Sequence, residues 1–321
     1  MILGGSVLVD IKNITKSRGE KELLCEVTYN VKKGGVHGIV GASRESVSAL
    51  LDVICGATDA DVGSVSVCGF DMSRDKKSAQ RRLGYLSYPA SFYEDMTAFE
   101  HLVFVGEAKS VPYDKLYKNI KSALELTELE PVAARLIKKL TVSERKRLGI
   151  ASAMLGNPDL IVLNEPQYDA EEIVALVKKL GNIKTVIIAS SDISVIEKTC
   201  DDLLILSSGK PLIFGTLSDI SARLAKNKVL RVTVKGREEA IVSKLRELEA
   251  VTDCTVTGSE AGQVKLKLEY SADADIREAV FSLFAGAGMP ILNMEEDRVG
   301  LSDIYLKLCE IEKAEKGGEQ R

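Results

Sequence analysis

Tryptophan is absent from the 321-residue chain, and aromatic residues make up only 5% of it. Proteins that stack nucleic-acid bases need such rings, so a single-strand binder is not expected. Positive charge is not in excess either: 43 Lys and Arg stand against 47 Asp and Glu, a net −4. Nucleic-acid binders normally carry a strong basic bias. There are two histidines, His37 and His101, and neither lies near a cysteine pair in sequence. The six cysteines, Cys25, Cys55, Cys68, Cys200, Cys254 and Cys309, are scattered without CxxC spacing. That pattern excludes the usual zinc and dithiol motifs and reads as reduced thiols, mostly small core residues. No run approaches ~18 uninterrupted apolar residues, so no membrane-spanning helix is expected. The start, MILGGSVLVDIKN, lacks the charged region and apolar run of a secretory leader.

What is present is a 45% hydrophobic chain, long enough for two domains at ~150 residues each. Apolar runs such as DLIVLNEP and TVIIASS read as strands covered on both faces. They alternate with helical patterns such as SVSALLDVIC and EEIVALVKKLG. Alternation of this kind predicts an α/β domain over residues 1–222. Residues 228–312 read strand, helix, hairpin, helix, strand, a split βαβ order that predicts a smaller, ferredoxin-like α+β domain. The polar tail, 313–321, is expected to be disordered.

The stretch GIVGASRESVSALLDVICG, from Gly38 to Gly56, has the frame of a phosphate-binding loop between strand and helix. Its frame G-x-x-G-x-G-K-[ST] keeps Gly41 and Ser48, and Gly41, Ser43, Ser46, Val47 and Ser48 are the candidate phosphate-binding residues of the altered loop. Arg44 and Ser46 replace glycines, and Val47 replaces the lysine. Other blocks follow in order. GYLSYPASFYEDM has Tyr88 where a glutamine is usual; LTVSE is Leu140, Thr141, Val142, Ser143 and Glu144; LIVLNEP ends on Asn164 and Glu165; IIASSD carries Ser191. Together these blocks resemble the nucleotide-binding domain of an ABC transporter, a P-loop NTPase-like fold, over residues ~6–220. Arg18 stands where that family stacks an aromatic on adenine, and the loop after Glu165 is shortened to QYDAEE. The tail domain is similar to accessory domains of ATPases serving ABC-2 type exporters.

The resemblance implies ATP hydrolysis coupled to transport, with ATP and magnesium as cofactors. Every motif that would perform it is altered. A phosphate cradle needs glycines that turn backbone N–H groups inward. Val47 removes the ammonium that offsets phosphate charge. Asn164 stands at the magnesium-binding Asp, Ser191 at the switch histidine, and Glu165 survives at the catalytic carboxylate. Tyr88 is the changed Q-loop residue. Thr141, Val142, Ser143 and Glu144 replace the signature, with Glu144 bringing negative charge toward a nucleotide held by the opposing subunit. Arg44 and Glu45 are large for the loop and are expected to pair with each other or turn over its mouth. The strands and helices meanwhile keep their apolar faces. The expectation is therefore a non-catalytic, pseudo-ATPase subunit with no bound cofactor and no metal. Its implied partners are an intact ATPase, in a heterodimer, an ABC-2 type permease, or both, at the cytoplasmic face of the membrane. Tyr88, Phe92 and Tyr93 are candidates for the permease groove, against the alternative of plain core aromatics. The competing reading is an unorthodox ATPase that binds nucleotide weakly through Ser48 and the loop backbone and uses Glu165 as base. The basic run Lys138, Lys139, Arg145, Lys146 and Arg147 reads as a solvated helix face.

Overall fold

The computed structural model describes residues 6–165, 170–224, 227–245, 248, 250–260, 262–271, 274–297, 301 and 305. They form two compact units: residues up to Leu217 together with Tyr305, and Ser218–Ile304. The first unit opens with β1 (Val7–Arg18), β2 (Lys21–Lys32) and β3 (Val36–Gly41), which leads into α1 (Arg44–Cys55). β4 (Val62–Val67), β5 (Phe70–Asp71), α2 (Lys76–Arg81) and β6 (Leu83–Leu86) follow. A helical lobe comprises α3 (Ala98–Ala108), α4 (Tyr113–Leu126) and α5 (Val142–Met154). The unit closes with β7 (Leu160–Asn164), α6 (Ala170–Gly181), β8 (Thr185–Ala189), α7 (Ile193–Thr199), β9 (Asp202–Ser207) and β10 (Lys210–Gly215).

Six strands form one sheet in the order β10-β9-β3-β8-β7-β6. All its neighbours are parallel except β10 with β9. β3, β7 and β8 are buried along their whole length, which is why their sequences are nearly all apolar. A second, antiparallel sheet runs β2-β1-β4-β5. α1 joins the core that both sheets share, through Val47, Leu50, Leu51 and Ile54. Those positions recur at helical spacing and give α1 one apolar face. Ser43 caps its start by accepting the Ser46 N–H, and Gly56 ends it in the left-handed conformation (φ 67°). The helical lobe has its own core, which includes Leu102, Leu116, Ile120 and Leu148. Pro112 caps α4 rather than interrupting a helix, and Pro131 falls in a short 3₁₀ turn.

His37 fixes β3 to β9 from inside. Its Nδ1 lies 2.7 Å from Asp202 Oδ1 and its Nε2 2.9 Å from the Gly34 carbonyl. Both partners are acceptors, a geometry that favours the doubly protonated ring. Burial opposes that charge, but Asp202 and the nearby carbonyls outweigh it, and the His37 pKa is raised.

α8 (Leu217–Leu224) leads into the second unit. It contains β11 (Asn227–Lys235), α9 (Glu238–Leu245), β12 (Val251–Glu260), β13 (Gln263–Ser271), α10 (Arg277–Gly286) and β14 (Ile291–Asp297). The sheet order is β12-β13-β11-β14, with every pair antiparallel. This is the split βαβ arrangement, and its core gathers Leu230, Leu266, Leu268 and Phe284. The division between the units falls at Leu217/Ser218, where the chain has just left β10, rather than between 222 and 228. Tyr305 groups with the first unit, although the sequence assigned the last helix to the second. The tail 313–321, most of that helix, and Gln167, Tyr168 and Asp169 of the shortened loop lie outside the described residues.

Candidate functional site: a filled phosphate loop

β3, β8 and β7 are neighbours, so their carboxyl ends open into one crevice, where parallel α/β sheets place their ligands. The crevice brings together Gly41, Arg44, Val47, Ser48, Asn164, Glu165, Ser190, Ser191 and Tyr305. Its remaining volume is ≈ 10 Å³. That is about the lower limit for a single water molecule.

The local sequence explains the closure. Without glycine at 44 or 46, the chain passes from the Ser43 cap directly into α1 at Arg44. The helical pattern in the sequence begins only at Ser46. The residues that would arch around a phosphate are therefore wound into the first helical turn, with Ser46 itself buried. Val47, at the lysine position, is 7% exposed and packs in the shared core. Arg44 turns into the crevice. Its Nη2 donates to Ser191 Oγ at 2.9 Å, and its Nε lies 3.5 Å from Glu165 Oε1. Ser191 donates its backbone N–H and its hydroxyl to Glu165 Oε2, at 3.1 and 3.0 Å. The retained carboxylate is thus held by one guanidinium and one serine. Glu45 pairs with Lys21 across the opening hairpin.

Asn164 is buried and donates its Nδ2 to Ser48 Oγ at 3.2 Å. Its Oδ1 has no hydrogen-bond partner among the described residues, a cost of roughly 1–3 kcal/mol. Tyr85 on β6 donates its hydroxyl to Asp52 of α1 at 2.9 Å, a contact that no sequence motif announced. In this arrangement the crevice does not fit magnesium and ATP. An amide nitrogen faces the Ser48 hydroxyl, and a cation stands beside Glu165. Among the described residues, no cluster of three His, Cys, Asp or Glu could hold a metal ion.

The signature residues lie elsewhere and are used in folding. Thr141 caps α5 by accepting the Glu144 N–H at 3.2 Å, and Glu144 accepts the Thr141 N–H at 2.7 Å. The Thr141 backbone and Arg135 hold the Glu144 carboxyl below its usual pKa. Glu144 is thus the second half of a capping box, not a charge projected outward. Ser143 donates to Glu172 at 3.0 Å, and Val142 is exposed. In the basic run, Lys138 pairs with Asp95, Arg145 with Glu94 and Arg147 with Glu128.

Of the three aromatics offered for a partner groove, Phe92 stacks edge-on against His101 and packs with the helical lobe. Tyr88 and Tyr93 are exposed, and Tyr93 meets Phe104 edge-on at 5.2 Å. None of the three lines the large open groove of the first unit. That groove measures ≈ 1210 Å³ and lies at the other end of α1, between α2 and α4. Gly84 lets β6 approach α5: a Cβ there would stand 1.9 Å from the Ala153 carbonyl oxygen.

A mostly parallel sheet with a helix-capped crevice at its strand ends, beside a helical lobe, defines an ATP-binding cassette of the P-loop NTPase class. Residues 24–168 match the ABC transporter family model, and the first unit is an ABC transporter ATP-binding domain. The linearmycin resistance ATP-binding protein LnrL of Bacillus subtilis is 26% identical, covering 94% of this chain and 98% of its own. The bacitracin transport ATP-binding protein BcrA of Bacillus licheniformis is 25% identical, covering 94% and 97%. Among solved structures, an ATP-binding subunit of an ABC transporter matches with a TM-score of 0.61 at 21% identity, covering 68% of this chain and 93% of that one. The dimeric cassette MJ0796 bound to ADP and Pi matches at 0.58 and 24%, covering 65% and 99%. The structural likenesses carry the fold.

Proposed function

We propose that this chain is a non-catalytic ATP-binding-type subunit of an ABC-2 type exporter. It acts as a structural or regulatory partner of an active ATPase, a membrane permease, or both. The observation that carries the reading is Arg44, whose guanidinium sits on Glu165 and Ser191 where the crevice would hold phosphate. Val47 packed in the core and Asn164 turned to Ser48 support it. The exporter assignment draws on the relatives, one named for bacitracin transport and one for linearmycin resistance. No described helix is long and apolar enough to cross a membrane. We accordingly place the chain at the cytoplasmic face as a peripheral subunit, with residues 228–312 as an accessory domain and nucleic acid outside its partners.

A second reading is favoured by the relatives' names, which call them ATP-binding proteins, and by Ser48 and Glu165 remaining in place. In it, the chain is a weak ATPase that drives the exporter itself. Steady-state ATP hydrolysis separates the two. Loss of one transition-state contact typically costs ~10²–10³ in rate, and here lysine, Asp and histidine are all replaced. Turnover at background, unchanged by Glu165→Gln, supports the non-catalytic reading. Ordinary turnover abolished by Glu165→Gln supports the second.

A further inference from the structure

A further cleft of the first unit lies between the end of α4, the first turns of α5 and the middle of α6. It holds ≈ 230 Å³, about the room of eight water molecules at ≈ 30 Å³ each, so it suits a ligand of roughly that many non-hydrogen atoms. Two cations, Arg147 and Lys179, and two carboxylates, Glu128 and Glu172, line it. Glu172 accepts the Ser143 hydroxyl at 3.0 Å. Glu128 is held more loosely, 3.9 Å from Arg147 Nη1 and 3.6 Å from Lys179 Nζ. A hydrogen bond between such charges spans ~2.7–2.9 Å, so all three keep donors or acceptors to spare at the cleft. The buried Thr127 ends α4 by donating to the Ala123 carbonyl at 2.7 Å, and Glu128 follows in the left-handed conformation (φ 55°). Glycine is usual at that position, and here it carries a carboxylate instead. Arg147 Nε is buried without a hydrogen-bond partner among the described residues. The nearby Glu144 carboxylate is taken by Thr141 and Arg135. Beside the charges, Leu126, Ala175 and Leu176 give the cleft an apolar wall.

We propose that this cleft binds a free α-amino acid with a short aliphatic side chain. Arg147 and Lys179 take its carboxylate, and Glu128 and Glu172 take its ammonium. The side chain lies on Leu126, Ala175 and Leu176. The balance of charge selects a zwitterion. A simple anion meets two carboxylates and a simple cation meets two positive groups, so a ligand of one sign loses at one pair what it gains at the other. A zwitterion is attracted by both pairs, through charge-assisted hydrogen bonds that are stronger than neutral ones. The bound molecule joins α4 and α5 of the helical lobe to α6, which connects β7 to β8. Such a site reaches beyond the non-catalytic reading and does not depend on whether the crevice hydrolyses ATP.

Titration of the full chain with L-valine, followed by calorimetry, tests it. Saturable binding is expected, with Kd at or below about 1 mM and an affinity that falls as salt rises. Valinamide lacks the carboxylate and N-acetylvaline lacks the ammonium; each should bind at least tenfold more weakly. Glu128→Gln and Lys179→Ala, both at exposed positions, should each weaken valine by about fivefold or more. Ala175→Phe places a ring against the apolar wall from an exposed position on α6 and should abolish binding, with circular dichroism verifying its fold. No saturation by about 10 mM valine overturns the proposal. Equal binding of valine, valinamide and N-acetylvaline overturns it as well. So does valine binding unchanged in both Glu128→Gln and Ala175→Phe, which places the amino acid elsewhere on the chain.

Discussion

The two ends of α1 have opposite fates. At its amino end the helix has grown backward to Arg44, and the crevice it faces is reduced to ≈ 10 Å³. At its carboxyl end Cys55 borders an open groove of ≈ 1210 Å³. The same twelve residues bury one continuous face between, so the helix could not have been lost without losing both sheets. The amino end carries the residues that would perform chemistry. The carboxyl end presents an open groove. Filling one while leaving the other open is the arrangement that the proposed non-catalytic role requires.

The largest effect expected from breaking this shared frame is at Leu50, fully buried midway along α1. Leu50→Ala should cost about 2–5 kcal/mol in urea unfolding, since a cavity opens between the two sheets. A loss under about 1 kcal/mol means that α1 is not the element tying the ends together.

A smaller effect sharpens the contrast between folding and binding roles at the former signature. Thr141→Ala removes the α5 capping box and should cost ~1 kcal/mol in thermal unfolding. An unchanged melting temperature would return Thr141 and Glu144 to the candidates for nucleotide contact.

The His37–Asp202 pair predicts a modest pH dependence in the sheet beneath the crevice. Its folded pKa is raised above the unfolded ~6.5, so its contribution is fully present below ~6.5 and fades as pH rises through the folded value. Unfolding free energies of wild type and His37→Gln, measured across that range, should converge toward alkaline pH. A gap that widens there contradicts the assignment.

The sequence made the architecture legible because burial leaves a periodic record. The apolar runs of β7 and β8 and the alternation of β13 announced a covered parallel sheet and a one-faced antiparallel one. The crevice was legible as a set of substitutions at known spacing. What those substitutions do was legible only in part. Arg44 turning over the pocket mouth was one of two expected outcomes, but its pairing with Glu165 joins residues far apart in sequence that only the β3-β8-β7 order brings together. Glu144 read as a charge aimed at a partner because its role depends on the backbone of Thr141 folding into a cap. The cleft of Glu128, Arg147, Glu172 and Lys179 had no motif at all. Its charges come from three separate stretches of chain, and only the packing of α4, α5 and α6 brings them together.

The central claim is that Arg44 and its neighbours occupy the site where nucleotide phosphate would bind. Titration calorimetry of the full chain with magnesium-ATP tests it directly, comparing wild type with Arg44→Gly/Ser46→Gly/Val47→Lys/Asn164→Asp. The account predicts no saturable binding by wild type up to about 1 mM, and at least a tenfold gain in affinity for the variant. Micromolar binding by wild type, undiminished by Val47→Glu, would contradict it.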